Sequence, residues 1–296
     1  MKKQIPWGKH LSLGAMVLLS GGLVATMYMQ NKRMSHLEMN QNKTLDFTKI
    51  DKALSSPEFR EYSLNQAVPL GADAKMFRFV LLNKESGQPL LYNMDSSISY
   101  VNVKGLDDSV EKFYPMNGSN SIGYLDILIN KKEQPELFDK CKVGSTFGFE
   151  GPHPTNYQLY ASNQEQTQVI SLIAQDIENG IAPSLQVIYD MVILDDRLEK
   201  PKKNNLKHIH LFYVVSKRQD YLLRQSLEGI SQRYGNQVTV TIVPRSETLF
   251  DKGTVDTLKE NATQGPVIVC GSREFESDIS KHLRDTHNIP SILINQ

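Results

Sequence analysis

The residues with the clearest capacity for chemistry are two histidines and two cysteines. His208 and His210 are two positions apart in a predicted strand, so their imidazoles share one face. Zinc sites use three or four protein ligands, and no third ligand lies near this pair in the sequence. Cys141 and Cys270 are far apart and form no C-x-x-C, which indicates reduced thiols rather than a disulfide scaffold or a thiolate site. The sequence therefore predicts no metal site.

Composition and missing motifs exclude several other classes of function. Lysine plus arginine equals aspartate plus glutamate, 33 of each, so no basic excess would attract nucleic acid, and no nucleic-acid partner is predicted. There is no G-x-S-x-G elbow, P-loop or H-E-x-x-H helix. Hydrolase, nucleotide-phosphatase and zinc-protease functions therefore have no support in the sequence.

Two kinds of apolar pattern indicate two folded domains. A chain of 296 residues is too long for one small core. Over residues 57–160 short alternating apolar runs lie between Gly, Pro, Asn and Asp, which is typical of antiparallel strands in a barrel or sandwich with one face solvated. Over residues 161–296 apolar strands alternate with helical segments, which predicts a parallel sheet with its ligand crevice at the carboxyl ends of the strands.

The first 33 residues are interpreted as a membrane anchor. Residues 11–29 contain no charged side chain, and a helix of that length matches the ~30 Å hydrocarbon core of a bilayer. Trp7 and Tyr28 lie near its ends, where amphipathic rings favour the interface. A cleavable targeting peptide is the alternative, because the start is basic and small residues follow the apolar run. The polar stretch at residues 34–56 is interpreted as a linker.

Local strings in the front domain resemble the cytochrome b5 reductase branch of the ferredoxin reductase family. In that branch an Arg-x-Tyr-Ser/Thr string holds the flavin, and Lys112-Phe113-Tyr114-Pro115 stands at the corresponding place. The family's Gly-x-x-Ser loop, whose amides receive the flavin pyrophosphate, corresponds to Lys132-Glu133-Gln134-Pro135. The resemblance covers about residues 60–296. It implies an antiparallel FAD-type β-barrel, then an α/β nucleotide-binding domain with a parallel sheet, both placed after the N-terminal transmembrane helix.

The back domain carries two further strings of the same family. The Gly-Gly-Thr-Gly-Ile-Thr-Pro turn corresponds to residues 176–183, in which Gly180 and Pro183 are kept and Asp176 and Glu178 are new carboxylates. The family's Cys-Gly-Pro, whose cysteine lies near the nicotinamide, corresponds to Cys270-Gly271-Ser272. The resemblance thus implies that Lys112 and Tyr114 contact flavin and that Gly180, Pro183 and Gly271 border the dinucleotide.

For three of these residues an ordinary structural role competes with the functional one. Cys270 is either the residue beside the hydride path, as the family implies, or a small buried residue that ends a core strand. Tyr114 is either stacked beside a flavin or packed in the barrel. Lys112 either pairs with a phosphate or faces solvent.

Two functions follow from the resemblance. The first is a membrane-anchored reductase that passes electrons from NADH or NADPH through FAD to a haem protein of the cytochrome b5 or cytochrome c type. The second is a catalytically inactive accessory subunit of a mitochondrial respiratory complex, because both phosphate-binding turns have lost glycines and gained carboxylates. FAD binding is weakened in this comparison, and use of NAD(P)H is in greater doubt. A single-pass protein of the mitochondrial inner membrane or intermembrane space is expected, with the endoplasmic reticulum as the alternative.

Overall fold

The computed structural model describes residues 50–93, 97–105, 109–118, 120–158, 167–193, 206–215, 223–245 and 250–295. Within these residues the chain forms an antiparallel sheet, a two-stranded ribbon and a parallel sheet. The antiparallel strands come first in the chain and the parallel strands second, as the apolar patterns predict. This order confirms the two-sheet part of the predicted fold class.

The front domain is an antiparallel sheet of six strands in the order β5-β4-β8-β1-β2-β7, with β3 and β6 paired separately. Among the described residues its elements are β1 (Arg60–Pro69), β2 (Ala74–Val80), β3 (Leu91–Asn93), β4 (Ser97–Lys104), β5 (Val110–Phe113), β6 (Asn120–Ile122), β7 (Tyr124–Asn130), α1 (Pro135–Lys140) and β8 (Thr146–Gln158).

The two edges of this sheet meet just after β5. Pro115 bridges to Ile127 of β7, and the Met116 amide donates to the Asp126 carbonyl at 2.9 Å. This contact closes the sheet toward a barrel, which leaves fewer unpaired backbone groups at its edges. Inside it, the ring of Phe79 lies 5.2 Å from that of Phe147 and 4.7 Å from that of Phe149, in edge-to-face geometry. The alternating apolar residues of β2 and β7 thus form the interior.

The back domain is a parallel sheet in the order β11-β10-β9-β12-β13. β9, the first of these strands in the chain, lies at the centre of the sheet, and the strand order reverses next to it. This arrangement places a crevice at the carboxyl ends of β9 and β12. Its described elements are β9 (Val169–Gln175), a first π-helical turn (Ile177–Ile181), α2 (Ala182–Ile188), a second π-helical turn (Tyr189–Ile193), β10 (His208–Val215), α3 (Arg224–Arg233), β11 (Val238–Pro244), α4 (Lys252–Ala262), β12 (Val267–Cys270), α5 (Arg273–His287) and β13 (Ile292–Leu293).

One hydrophobic core runs across the boundary between the domains. Met76 and Met116 of the front domain belong to the same buried cluster as Leu185 of α2. The face of β2 and β7 that the alternation predicts to be solvated is therefore covered instead. Arg78 and Asp126 lie on that face, both buried, and form a bidentate ion pair with N–O distances of 2.7 and 2.6 Å. The prediction was wrong because alternation cannot show when a second domain covers the polar face.

Gln186 of α2 adds a polar connection across the same boundary. Its side-chain amide donates to the carbonyls of Ser99 (2.9 Å) and Pro115 (2.6 Å), and its oxygen accepts from the Ser99 amide (3.0 Å). All three residues are buried. The backbone amide and carbonyl of Ser99 and the carbonyl of Pro115 are therefore satisfied by one side chain from the other domain.

The fold class needs one correction, the N-terminal transmembrane helix. Among the described residues no helix is long and apolar enough to cross a membrane. The predicted segment at residues 11–29 lies outside the described residues, as do residues 34–49 of the predicted linker. Of the rest of that linker, Ala53 and Leu54 are buried, and the Ala53 amide donates to the Leu91 carbonyl.

Candidate functional site

The front side of the site is built on β5 and the residues that follow it. Tyr114 is buried, and its ring meets that of Tyr100 edge-on at 6.2 Å. The Lys112 ammonium lies 4.3 Å from the ring centroid of Tyr100 and 4.8 Å from that of Tyr114. Partial burial lowers the pKa of Lys112, while nearby Glu276 opposes this effect. The lysine is thus a cation held over two aromatic rings at the domain boundary.

The back side of the site is the carboxyl end of β12. Cys270 is fully buried there, and burial raises the pKa of its thiol, while a hydrogen bond with Ser184 acts in the opposite sense. A Cβ atom on Gly271 would lie 2.5 Å from the Phe275 ring, so only glycine fits between β12 and α5. Cys270 is a protonated, enclosed thiol at neutral pH and cannot act as a thiolate nucleophile.

Asn295 connects these two sides. Its side-chain oxygen accepts from the Tyr114 hydroxyl at 2.6 Å and from the Lys112 ammonium at 3.1 Å. Its side-chain nitrogen donates to the Gly271 carbonyl at 2.8 Å and to Glu276 at 2.9 Å. The backbone is fixed as well, because its amide donates to Glu276 at 3.0 Å. The structure therefore brings Lys112, Tyr114 and Gly271 together around a residue that carries no motif.

The turn that contains Gly180 and Pro183 forms the third side of the site. Asp176 has a φ of +55°, and its carboxylate accepts from the amides of Asn179 (2.8 Å) and Gly180 (3.1 Å). Burial raises the pKa of Asp176 to about 7, and the hydrogen bond from Asn179 opposes this. Pro183 is buried in the first turn of α2, where its missing amide has no cost. The amides of Asn179 and Gly180 thus already donate to an acceptor, which is a side chain of the chain itself.

A second buried carboxyl, that of Glu178, points from the same turn to the front domain. It accepts a hydrogen bond from the amide of Asn130, at the end of β7. Burial raises its pKa, and the neighbouring carboxyls of Glu133 and Asp176 raise it further. Three carboxyl groups therefore meet where the resemblance places the phosphates of the two cofactors.

These residues do not fit the phosphates of FAD or of NAD(P)H. Phosphates bind at helix starts through free amides, and here Asp176 occupies two of those amides. In the front domain Pro135 is the first residue of α1, so that position has no amide to donate. Any of the carboxyls of Glu133, Asp176 and Glu178 that is ionised would repel a phosphate brought close to it, and a protonated one supplies no positive charge to hold it.

The two histidines lie elsewhere, on β10. The rings of His210 and Phe212 stack at 4.0 Å, and the His210 Nε2 atom lies 2.8 Å from the Thr241 hydroxyl. Burial lowers the pKa of His210 to about 4, with a further contribution from His208. In the part of the chain that the structure describes, no three His, Cys, Asp or Glu side chains are arranged to hold a metal ion. His210 has a packing role.

Known proteins with similar sequences and folds agree with this architecture. Residues 179–281 match the family model described as an oxidoreductase NAD-binding domain. NADH-cytochrome b5 reductase 1 of Dictyostelium discoideum is 24% identical over 79% of this chain and 80% of its own length. NADH-cytochrome b5 reductase 2 of Kluyveromyces lactis is 25% identical, over 75% and 74%. Among solved structures, the cytochrome b5 reductase domain of Ulva prolifera nitrate reductase superposes with a TM-score of 0.63 at 17% identity, over 82% of this chain and all of that one.

The sequence and fold comparisons support the ferredoxin reductase and cytochrome b5 reductase-like family for this chain. By sequence and fold it is similar to cytochrome b5 reductases. Two features of its site are named here. The Asn295 bridge is the set of hydrogen bonds that joins Tyr114 to Gly271 through the Asn295 side chain. The carboxyl cluster is the group of Glu133, Asp176 and Glu178 at the phosphate positions.

Proposed function

We propose that this member of the family keeps the reductase fold without binding FAD or NAD(P)H, and that it works as an accessory subunit of a protein assembly. The observation that carries the proposal is the Asn295 bridge. Two hydrogen bonds, of 2.6 and 2.8 Å, join Tyr114 to Gly271 through this single side chain. These are the two residues that the resemblance assigns to the flavin and to the nicotinamide.

The bridge leaves too little space for the cofactor rings. A flat ring needs about 3.5 Å on each face, or about 7 Å between the groups that flank it. A flavin and a nicotinamide that lie one on the other between Tyr114 and Gly271 would need a still larger distance between these two residues. For either ring to enter, Asn295 must give up its hydrogen bonds with Tyr114, Lys112 and Gly271, and Glu276 must lose those that it accepts from Asn295.

The carboxyl cluster, at the phosphate positions rather than at the Asn295 bridge, supports the same proposal. Even if Asn295 moved aside, the phosphates of both cofactors would approach carboxyl groups rather than free amides. One altered subsite could be compensated by binding elsewhere. Changes at both the ring subsite and the phosphate subsites favour a protein that works without these cofactors.

A second candidate function is the active reductase, with NAD(P)H and FAD as cofactors and a haem protein as electron acceptor. It is favoured by Lys112, which the structure holds over two aromatic rings at the flavin position, and by the match to an NAD-binding domain. If FAD were bound, Lys112 and Tyr114 would hold it, and it would supply the two-electron to one-electron conversion.

The names of the relatives suggest a cytochrome b5-type protein as the first partner to test. An accessory subunit could keep the surface that docks such a protein without transferring electrons to it. A respiratory complex as host and a mitochondrial location stay predictions from the sequence.

Reductase assays distinguish the two functions. With added FAD and either NADH or NADPH, the purified 296-residue chain is expected to reduce cytochrome b5, cytochrome c or ferricyanide no faster than a protein-free control. The reason is that neither cofactor can reach the Tyr114–Gly271 gap. Tyr114→Phe, which removes only the hydroxyl, and Cys270→Ala should leave this background rate unchanged.

A rate that rises with protein concentration and falls in either variant would contradict the proposal and support the active reductase. In cells, the accessory function predicts that the wild-type chain and Tyr114→Phe migrate in the same high-mass assembly on native gels. Migration of the chain as a free monomer would contradict an accessory role.

A further inference from the structure

The Asn295 side chain uses every hydrogen-bonding position that a primary carboxamide has. Such a group carries two lone pairs on its oxygen and two N–H bonds on its nitrogen. The Oδ1 atom of Asn295 accepts from the Tyr114 hydroxyl at 2.6 Å and from the Lys112 ammonium at 3.1 Å. The Nδ2 atom donates to the Gly271 carbonyl at 2.8 Å and to Glu276 Oε1 at 2.9 Å. The surrounding groups therefore offer two donors and two acceptors to one amide.

The orientation of this amide is fixed by the chemistry of two of its partners. An ammonium can only donate and a backbone carbonyl can only accept, so the amide oxygen must face Lys112 and the nitrogen must face Gly271. A carboxylate in the same position would bring an oxygen against the Gly271 carbonyl and against Glu276, and an N,N-disubstituted amide would lose both of its N–H bonds. Because an unmatched polar group in an enclosed site is costly, the four partners select a primary carboxamide.

Contacts other than those with the amide hold its partners in place. Tyr114 is 1% exposed and packs edge-on against Tyr100, and the Lys112 ammonium lies 4.3 Å from the Tyr100 ring centroid. Glu276 is 0% exposed, and its Oε1 atom also accepts from the Gly271 amide at 3.3 Å. Each domain therefore positions its half of the site through contacts that do not involve the group that fills it.

We propose that Lys112, Tyr114, Gly271 and Glu276 form a binding site for a primary carboxamide, which Asn295 fills from within the chain. The inference rests on the Asn295 bridge of the proposed function, and it adds the class of ligand that the closed site recognises. A small primary amide from solution takes the place of the Asn295 side chain when that side chain is removed or displaced.

The attachment of Asn295 to the chain explains why the site is filled from within. Its backbone amide donates to Glu276 Oε2 at 3.0 Å, and its carbonyl accepts from Arg273 Nε at 3.1 Å, so the side chain is held beside its partners. A group on a short tether has an effective concentration on the order of millimolar or above. A free amide competes poorly with it, and binding is therefore measured best in a chain that lacks the side chain.

An Asn295→Gly variant of the 296-residue chain tests the site with acetamide, whose methyl group replaces the missing Cβ atom. In titrations followed by saturation-transfer NMR, acetamide is expected to bind this variant at least about tenfold more tightly than it binds wild type. Acetate and N,N-dimethylacetamide should bind the variant at least about tenfold more weakly than acetamide does. Asn288→Gly is the matched control and should behave as wild type, since it removes an exposed asparagine at a φ of +56°, which glycine adopts without strain.

A second variant decides the matter if the glycine variant does not fold. In Asn295→Ala the Cβ atom stays, so formamide is the molecule that restores the four contacts, and it should bind at least about tenfold more tightly than formate. Adding Tyr114→Phe to either variant removes one of the two donors to the amide oxygen. The double variants should bind the amide several-fold more weakly, which places the binding at this site.

The proposal is overturned if acetamide and acetate bind Asn295→Gly equally well, or if acetamide binds Asn295→Gly no better than Asn288→Gly. Equal binding of formamide and formate by Asn295→Ala would overturn it in the same way. Flavin binding is measured on the wild-type chain. A wild-type chain that binds FAD, with an Asn295→Gly variant that selects acetamide, would contradict the proposed function alone. A cofactor-free wild-type chain whose variant does not select acetamide would contradict the carboxamide site alone.

Discussion

A Gly180→Ala variant is expected to lose about 3 kcal/mol or more of its free energy of unfolding, because it places a side chain against backbone that cannot move aside. A Cβ atom at this position would lie 2.6 Å from the carbonyl carbon of Gln175 and closer still to the carbonyl oxygen. Gln175 is the last residue of the central strand β9, so the clash can be relieved only by deforming the turn that carries Asp176 and Glu178. Urea denaturation followed by circular dichroism measures the loss.

Gly229 in the middle of α3 provides the matched control. Nothing lies within 4 Å of a Cβ atom built on Gly229. A Gly229→Ala variant is expected to gain about 0.5–1 kcal/mol, since alanine is the better helix former. If both alanine variants had similar stability, the tight turn at Gly180 would not be a feature of the folded chain.

A Gln186→Leu variant is expected to lose on the order of 3 kcal/mol, because it removes all three hydrogen bonds that this buried side chain makes across the domain boundary. Each buried polar group that loses its partner costs about 1–3 kcal/mol, and leucine has a similar volume but no polar atom. The same variant should raise amide exchange at Ser99 and in the residues near Pro115. Denaturation and hydrogen–deuterium exchange together measure the effect.

Gln232→Leu is the control for this substitution, since Gln232 is exposed on α3 and its replacement should change stability by less than about 0.5 kcal/mol. Equal stability of the Gln186 and Gln232 variants would show that the polar connection between the domains is unimportant. If Gln186→Leu lost stability without faster amide exchange at Ser99, the lost stability would not come from the hydrogen bonds across the domain boundary.

The order and type of the elements could be predicted because each leaves a local pattern. Phe77, Phe79 and Leu81 alternate toward the barrel interior, and all three are buried. Ser272 caps α5 by accepting from the Phe275 amide at 3.2 Å, and serine is a residue type that favours this position. The burial of Arg78 and Asp126 could not be predicted, because it depends on a second domain that the strands themselves do not encode.

The site was predictable only where family motifs remain. Tyr114, Lys112, Cys270 and Gly271 were selected from partial strings, and the structure places them around one point. Asn295 was missed because a polar residue next to the last position carries no pattern and acquires its role only through contacts with both domains. The roles assigned to these residues by the resemblance stay predictions.

The sequence marks the carboxylates of the phosphate turn as unfavourable for phosphate, but it does not reveal their structural role. That Asp176 would accept from the amides of its own turn follows from a backbone conformation with positive φ, which a sequence of this kind does not reveal. That Glu178 would reach Asn130 depends on how the domains pack. In both cases the contact depends on the tertiary structure, which the local sequence does not specify.

The central claim, that the crevice between the domains takes no cofactor, is tested most directly by the flavin content of the protein. The purified 296-residue chain is incubated with FAD, separated from free ligand by gel filtration, and examined by visible absorption before and after adding NADH or NADPH. The supernatant of a denatured sample is then assayed for released flavin. A folded, colourless protein that releases no flavin is the predicted result. Stoichiometric FAD would contradict the claim, and FAD that bleaches with NADH or NADPH would establish the active reductase in its place.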